Sequence, residues 1–370
     1  MTQSNEVQEA VAIVLPSLDP NAKFISVVDG LLEAGFRHIV IVDDGSAPEN
    51  RKWFEQAAAH PACHVLHHEV NRGKGRALKT AFSYVREHLP FLQGVVTIDG
   101  DGQHLLPDII ACGERMLREG DKVVIGCRDF DQPGVPPRSV AGNKTTSRMF
   151  RLFYGIRLSD TQTGLRAIPA SCLERFCAIS GERFEYETNM LLQMKRMGVG
   201  FVEQPIATVY DPEDYSSHYN AVKDSLRITK VMLRFLITGC GFRYLVSSTL
   251  SFLLDNGLYH ILFSSLQGRV AAHLVSPLAQ GLARAASSLF NFTLNDRWVF
   301  ENKREHGKAF VKYYCLCIPQ TLISMVCLTA LVSWLQIASP WLATFVKIAV
   351  ETALFFISYF IQKKWVFKKK

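Results

Sequence analysis

The sequence predicts an α/β domain built on a parallel sheet, followed by an all-α domain of four membrane-crossing helices. Three observations predict it. Short apolar runs alternate with amphipathic stretches from Val11 onward, which is the signature of strand, helix, strand units. Four apolar segments of about 20 residues or more follow residue 240, the length a bilayer core requires. Charge divides at the same place: residues 221–370 hold 18 Lys and Arg against 6 Asp and Glu, so a net charge of +7 hides an acidic front and a basic, apolar back.

In the front half the strands are VAIVLP, HIVIVDD, HVLHHE, GVVTIDGD and KVVIGC, with helices expected at 22–34, 48–59, 74–87 and 107–118. Right-handed crossovers between parallel strands put ligands at the carboxyl ends of those strands. The polar residues gather there: Asp43, Asp44, Gly45 and Ser46 after the second strand, and Asp99, Asp101 and Gln103 after the fourth. Read as extended chain, residues 99 and 101 point the same way, and two carboxylates side by side suit a hard divalent cation. The first strand ends in LPSLDP instead of a dinucleotide glycine fingerprint, and no Walker-type loop follows any strand. NRGKGRALK, residues 71–79, sets Gly73, Lys74 and Gly75 at a helix start; it reads either as a phosphate-binding turn or as a solvated cap.

Composition excludes other classes. No basic stripe interleaved with aromatics marks the front half, so nucleic acid is not expected. Nine scattered cysteines without CxxC or zinc-like spacing read as small hydrophobes in a reducing compartment. The first ten residues carry no signal-peptide pattern and are expected to form a flexible tail outside the bilayer.

Taken together, Pro16, the IVDDGS box, NRGKGRAL, the Asp99, Asp101 and Gln103 motif, Arg128 in CR, Arg138 in PRS, DTQTGLRA at 160–167 and FEYE at 184–187 resemble the family 2 glycosyltransferases. The resemblance is narrower to the polyprenyl-phosphate sugar transferases that include dolichol-phosphate mannose synthase, and it covers roughly residues 11–218. It implies the GT-A fold, which is Rossmann-like, and a nucleotide sugar, UDP- or GDP-linked, as donor. Pro16, Asp43, Asp44, Lys74 and Asp99 would contact the donor, although Asp44 reads equally well as a helix cap. Asp99, Asp101 and Gln103 would hold Mg²⁺ or Mn²⁺. Asp99, Asp101, Arg128 and Arg138 would form the catalytic set, with Arg128, Arg138, His218 and Lys223 facing the acceptor phosphate; as a rival reading the arginines are solvated loop residues and His218 a surface histidine. Glu185 and Glu187 read as supporting groups. Asp19 and Pro20 stand where relatives commonly show Asn-Glu.

Residues 219–240 form the expected juxtamembrane helix, with Val222, Leu226, Ile228 or Thr229, and Leu233 on one side and Lys223, Arg227, Lys230 and Arg234 beside them. The spans are expected at about 241–264, 271–293, 311–335 and 341–361, with a basic tail at 368–370. Lysine and arginine crowd the connection after the second span and the C-terminal tail, which predicts both termini on the cytosolic side of a bacterial inner membrane. NFTLNDRWVF at 291–300 and SYFIQKKWVF at 358–367 align with each other, so the back domain reads as two helical hairpins in tandem with Trp298 and Trp365 as interface anchors. Asp255 and Arg284 fall mid-span, as a functional site or as a structural pair. The stretch 236–367 resembles the GtrA-like membrane family, which implies either help for a lipid-linked sugar or plain anchoring.

The expected activity is transfer of one sugar to a polyprenyl phosphate, undecaprenyl phosphate or a similar lipid, with inversion, by a chain that assembles as a homo-oligomer. A processive polysaccharide synthase would add a QxxRW box, which is missing. A lipid-linked-sugar transporter with a sensing front domain is the other alternative.

Overall fold

The computed structural model describes residues 4–133, 135–209, 223–302, 306–334 and 340–367. The chain divides into two compact units, Met1–Phe235 and Leu236–Lys370.

The first unit keeps the expected alternation from β1 to β5 and has further elements around it: α1 Ser4–Ala10, β1 Val11–Ser17, α2 Ala22–Glu33, β2 Ile39–Asp43, α3 Arg51–Ala58, β3 Cys63–His67, α4 Lys74–His88, β4 Gly94–Thr97, α5 Leu106–Glu119, β5 Val123–Arg128, α6 Pro137–Met149, β6 Arg166–Pro169, α7 Ala170–Cys177, α8 Glu185–Met197, β7 Phe201–Ile206 and α9 Lys223–Ile237. The seven strands lie in the order β3, β2, β1, β4, β6, β5, β7. The sheet is mixed, which corrects the all-parallel expectation: β6 runs antiparallel to both β4 and β5. The antiparallel strand follows the DTQTGLRA segment, which returns across the mouth of β4 before entering the sheet. The inner strands are buried on both faces, as their continuous apolar runs require, with Ile13, Leu15, Ile39, Ile41, Val96 and Val124 fully enclosed, whereas the edge strands β3 and β7 are only half-buried.

The stretch 4–10 is a helix, not the flexible tail expected of it. Val7 is completely buried and lies against Gly113 of α5, where a Cβ would strike it. One apolar residue in a polar decapeptide is enough to dock it. At the other end of the unit, the Tyr154 hydroxyl donates to the Met232 carbonyl at 2.8 Å, and Arg196 stacks on Phe235 at 3.8 Å, so α9 packs on the first unit through Met232 and Phe235. Leu226, Leu233 and Ile237 stay exposed on its other side, beside the basic residues.

The second unit consists of α10 Cys240–Leu266, α11 Ala272–Leu294, α12 His306–Trp334 and α13 Pro340–Ile361. Four helices thus occupy the places expected of four spans. Among the described residues, however, no single helix is long and apolar enough to cross a membrane, and only α9 and α10 taken together meet that requirement. Arg243, Asp255, Arg284 and several Ser, Asn and Gln stand within the first two of these helices, whereas α12 carries no Asp, Glu, Lys or Arg after Lys312.

Those polar residues pair internally, and they do so twice. Each hairpin ends in a π-helical turn, Asn295–Val299 and Gln362–Val366. Asn295 Nδ2 donates to Gln362 Oε1 at 3.0 Å, and Phe300 stacks on Phe367 at 4.6 Å. Arg243 lies over Trp298 and donates to its carbonyl, while Lys312 does the same with Trp365. Tyr313 donates to Asn291, and the Tyr244 hydroxyl meets Gln362. The sequence echo is therefore a structural repeat of two hairpins. Arg284 is paired with Asp255 at 3.1 Å, and Ser287 donates to the same carboxylate at 2.8 Å.

Candidate functional site

The site grows from the end of β4. The strand stops at Thr97, so residues 99–102 form a turn with Gly102 at φ +78°, not the extended ladder whose alternation was expected to align the two acids. They are neighbours for another reason. The turn folds back, Gln103 N donates to Asp101 Oδ1 at 3.0 Å, and Asp101 stands close enough to Asp99 to feel its charge. Burial first, and then the Asp99 charge, raise the Asp101 carboxyl above the ordinary aspartate value.

Asp99 is boxed in. Lys74 Nζ lies 2.7 Å from its Oδ1 and 3.3 Å from Glu187 Oε2, and His104 Nε2 is 3.5 Å from its Oδ2. Gly164 presses on the carboxylate from DTQTGLRA, so closely that a Cβ there would collide with Asp99 Oδ2. Thr97 Oγ1 holds the Gly164 carbonyl at 2.7 Å and so sets that approach. Burial would raise the Asp99 carboxyl, but the Lys74 ammonium outweighs it, with help from His104, and holds it well below the usual carboxylate range. Burial would lower Lys74, and Asp99 and Glu187 reverse this, lifting it above an ordinary lysine.

NRGKG is therefore no solvated cap. Gly73 sits at φ +101° with Arg183 and Glu182 where a Cβ would be, and Gly75 abuts Tyr186, so only glycine lets this loop meet the 181–187 segment. Asp44 fastens it from the sheet side. Its carboxylate accepts from Arg72 N at 3.0 Å and Gly73 N at 2.7 Å, and His68 Nδ1 bonds it at 2.7 Å. Asp44 is thus neither the cap of the next helix nor exposed; it fills the amides that a phosphate would have used. Asp43 is buried as well, with Ser46 N at 2.8 Å and His67 Nδ1 at 3.0 Å. Burial would raise its carboxyl, and the hydrogen bonds from His67 and Ser46 hold it below the ordinary value. Asp19, at φ +46°, accepts from Ala47 N and Asn50 Nδ2 and ties the β1 exit to the β2 loop, while Pro16 pairs with Val42 inside the sheet.

Arg128, at the end of β5, is clasped by the fully buried Asp160, with Nε at 2.7 Å and Nη2 at 3.3 Å. Arg138 belongs to the first turn of α6, and its side chain lies outside the described residues, as does His218. Lys223 is exposed at the start of α9. Glu185 Oε1 accepts from Glu182 N and Arg183 N and so fixes the turn that leads into α8, whereas Glu187 faces Lys74. The structure thus brings together Asp99, Asp101, Lys74 and Glu187. Asp255 and Arg284 belong to the second unit.

Four participants were not singled out from the sequence: His68, His104, Asp160 and Arg166. Arg166 is fully buried and donates from Nη1 to the Glu187 carbonyl at 3.0 Å, fixing the residue that faces Lys74. Each sits within or beside a box that was noticed, but position in a box does not tell which way a side chain turns.

Among the described residues no group of three or more His, Cys, Asp and Glu converges to hold a metal. The donor chemistry nonetheless fits a hard divalent ion. Asp99 and Asp101 offer oxygen ligands with unrelieved mutual repulsion, and Mg²⁺ is commonly held by one or two carboxylates with substrate phosphates completing its shell.

Comparison with known proteins gives these residues a context. Residues 22–176 match the model of glycosyl transferase family 2, and residues 242–367 match that of the GtrA/DPMS transmembrane domain. An uncharacterized protein of Methanocaldococcus jannaschii is 26% identical over 238 residues, 63% of this chain and 96% of that one. The UDP-N-acetylglucosamine dolichyl-phosphate N-acetylglucosaminyltransferase of Methanococcus voltae is 26% identical over 217 residues, 54% of this chain and 86% of its own. The undecaprenyl-phosphate 4-deoxy-4-formamido-L-arabinose transferase of Shewanella sediminis is 27% identical over 173 residues, 44% of this chain and 49% of its own.

Proposed function

We propose that this chain, whose residues 22–176 match glycosyl transferase family 2 and whose residues 242–367 match the GtrA/DPMS transmembrane domain, moves one sugar from a nucleotide sugar onto a polyprenyl phosphate. The observation that carries the reading is the cluster at the mouth of β4, where Asp99 and Asp101 meet Lys74 beneath Gly164. The names of two relatives support the acceptor class, since one acts on dolichyl phosphate and the other on undecaprenyl phosphate.

The chemistry follows from the groups present. A divalent ion, Mg²⁺ or Mn²⁺, held by Asp99, Asp101 and Gln103 would supply Lewis-acid stabilisation to the departing diphosphate. Lys74 adds a second positive charge on the same side. The acceptor is a phosphate monoester whose second pKa of about 6 leaves it anionic at neutral pH, so no general base is required of the protein. Its oxygen attacks the anomeric carbon, the bond from that carbon to the nucleoside diphosphate breaks with the electron pair, and direct displacement inverts the centre. Arg128 and Arg138 would meet the acceptor phosphate, Arg128 from its seat on Asp160. Asp43 would face the base or ribose of a UDP- or GDP-linked donor. The exposed Leu226, Leu233 and Ile237 of α9, with the basic residues beside them, fit a helix lying at a lipid surface. The reading places the catalytic unit on the cytosolic side of a bacterial inner membrane, in a homo-oligomer.

Membranes containing the protein, incubated with labelled nucleotide sugars and undecaprenyl phosphate, test this. Label that extracts into organic solvent supports the reading, and Asp101→Ala should abolish it while the protein still inserts. Label in an aqueous polymer would assign a synthase, and no incorporation from any donor would assign a transporter.

A further inference from the structure

We infer that Lys74 is a tethered counter-ion that occupies the cation position beside Asp99 before a divalent ion does, and that Glu187 is the seat to which it withdraws. The inference rests on the metal reading given above and adds a role for two residues of this chain toward it.

The geometry shows a side chain shared between two anions. Lys74 Nζ is 2.7 Å from Asp99 and 3.3 Å from Glu187, so a small rotation transfers it from one to the other. The backbone around it is held. The Lys74 backbone follows Gly73, whose positive φ and contacts with Glu182 and Arg183 fix the loop, and Gly75 is wedged against Tyr186. The amides just before it are tied to Asp44. Asp99 cannot retreat, because Gly164 backs it on one side and His104 flanks it on the other. Glu187 is held in place through its carbonyl by the buried Arg166. The four-carbon stem of Lys74 supplies the reach between the two anions.

Charge gives the second argument. Asp99, Asp101 and Glu187 carry three negative charges against the one ammonium, and among the described residues no ion pair includes Asp101. Counting also the buried Arg166 guanidinium behind Glu187, the cluster keeps one net negative charge, and a divalent cation would meet it at Asp99 and Asp101. A Lys74 ammonium remaining on Asp99 would repel that cation at contact distance, so Lys74 must let go of Asp99 first. Glu187 keeps the displaced ammonium paired in a site where an unpaired buried charge is costly. Glu187 is in this sense a positioning residue that tunes metal affinity through Lys74.

The experiment measures Mn²⁺ binding to the full chain in lipid nanodiscs from the electron paramagnetic resonance signal of free Mn²⁺, without nucleotide. Lys74→Met should tighten binding by about ten-fold or more, because the competitor is gone. Glu187→Gln should weaken it by about ten-fold, and this loss should largely vanish in the Lys74→Met background, where no ammonium needs a seat. Both replacements are close in volume, and thermal melting verifies folding. Unchanged Mn²⁺ affinity in Lys74→Met, or an equal Glu187→Gln effect in both backgrounds, overturns the inference while leaving the metal site standing. A wild-type protein that binds no Mn²⁺, alone or with UDP or GDP, overturns the metal reading and this inference together.

Discussion

Arg128 and Asp160 form a forked ion pair at the end of β5, with the carboxylate entirely buried and the guanidinium mostly so. The fork aims a planar, permanently charged group at the site's edge. Removing the arginine alone strands a buried anion. Arg128→Ala should cost about 3–5 kcal/mol in chemical denaturation, and adding Asp160→Asn should recover much of that stability without restoring transfer.

Gly164 sets the position of Asp99 by contact. Gly164→Ala should reduce transfer about a hundred-fold, because a methyl group there forces the carboxylate away from Lys74 by an ångström or so. Melting should change little, since the displaced group lies at the open mouth of the sheet. Labelled-donor assays beside thermal scans check both halves.

Asp44 joins β2 to the start of α4 through two backbone amides and His68. Asp44→Asn keeps the shape and loses the charge, weakening three hydrogen bonds that are charge-assisted. A loss of about 2–4 kcal/mol is expected, with protease cleavage appearing first near residues 70–76.

His38 and His64 stack at 6.0 Å, and both imidazoles are lowered, chiefly by burial, with His64 adding to the effect on His38 and His88 to that on His64. In the unfolded chain each takes a proton near pH 6.5. Between the lowered values and 6.5 the unfolded state binds more protons, so stability rises with pH through that window and is lost as pH falls below 6.5. Thermal melting from pH 5 to 8 should show the decline, and His38→Gln should flatten it.

In the second unit, Asn295 and Gln362 satisfy each other in the interior, where neither finds water. Asn295→Ala should cost about 1–3 kcal/mol through the orphaned Gln362, and Gln362→Leu on top of it should restore part of that. Unfolding of the purified protein in detergent measures both.

Much of this was legible in the chain. The strand and helix order followed from hydrophobic alternation, and the β2 and β4 exits announced themselves as polar clusters behind apolar runs. The antiparallel β6 was not legible, because RAIP reads like any short buried strand and direction is decided by the loop that delivers it. The same limit applies within the site. Asp99 and Asp101 were found by type and spacing, yet their proximity comes from a turn with Gly102 at its close, not from strand alternation. Asp43 and Asp44 were read as donor ligands through the family resemblance, Asp44 equally as a helix cap; that they are enclosed by His67 and His68 depends on β3 lying beside β2, which no local pattern encodes. The repeat in the second unit was visible as two similar decapeptides, and its meaning became structural once Asn295 met Gln362. Four spans were expected from apolar length; four helices stand at those places, and the polar residues of the first two face one another.

That repeat is unequal in one respect. With Trp298 matched to Trp365, Arg284 falls opposite Glu351; with Arg243 matched to Lys312, Asp255 falls opposite Ser324. The ends of the hairpins are duplicates, whereas in the middle the first copy pairs Arg284 with Asp255 and the second has Glu351 and Ser324 at the matching places. A scaffold of this kind separates two duties within one architecture: matched termini maintain register between the halves, and the unmatched interior leaves a single sidedness for selection to act on.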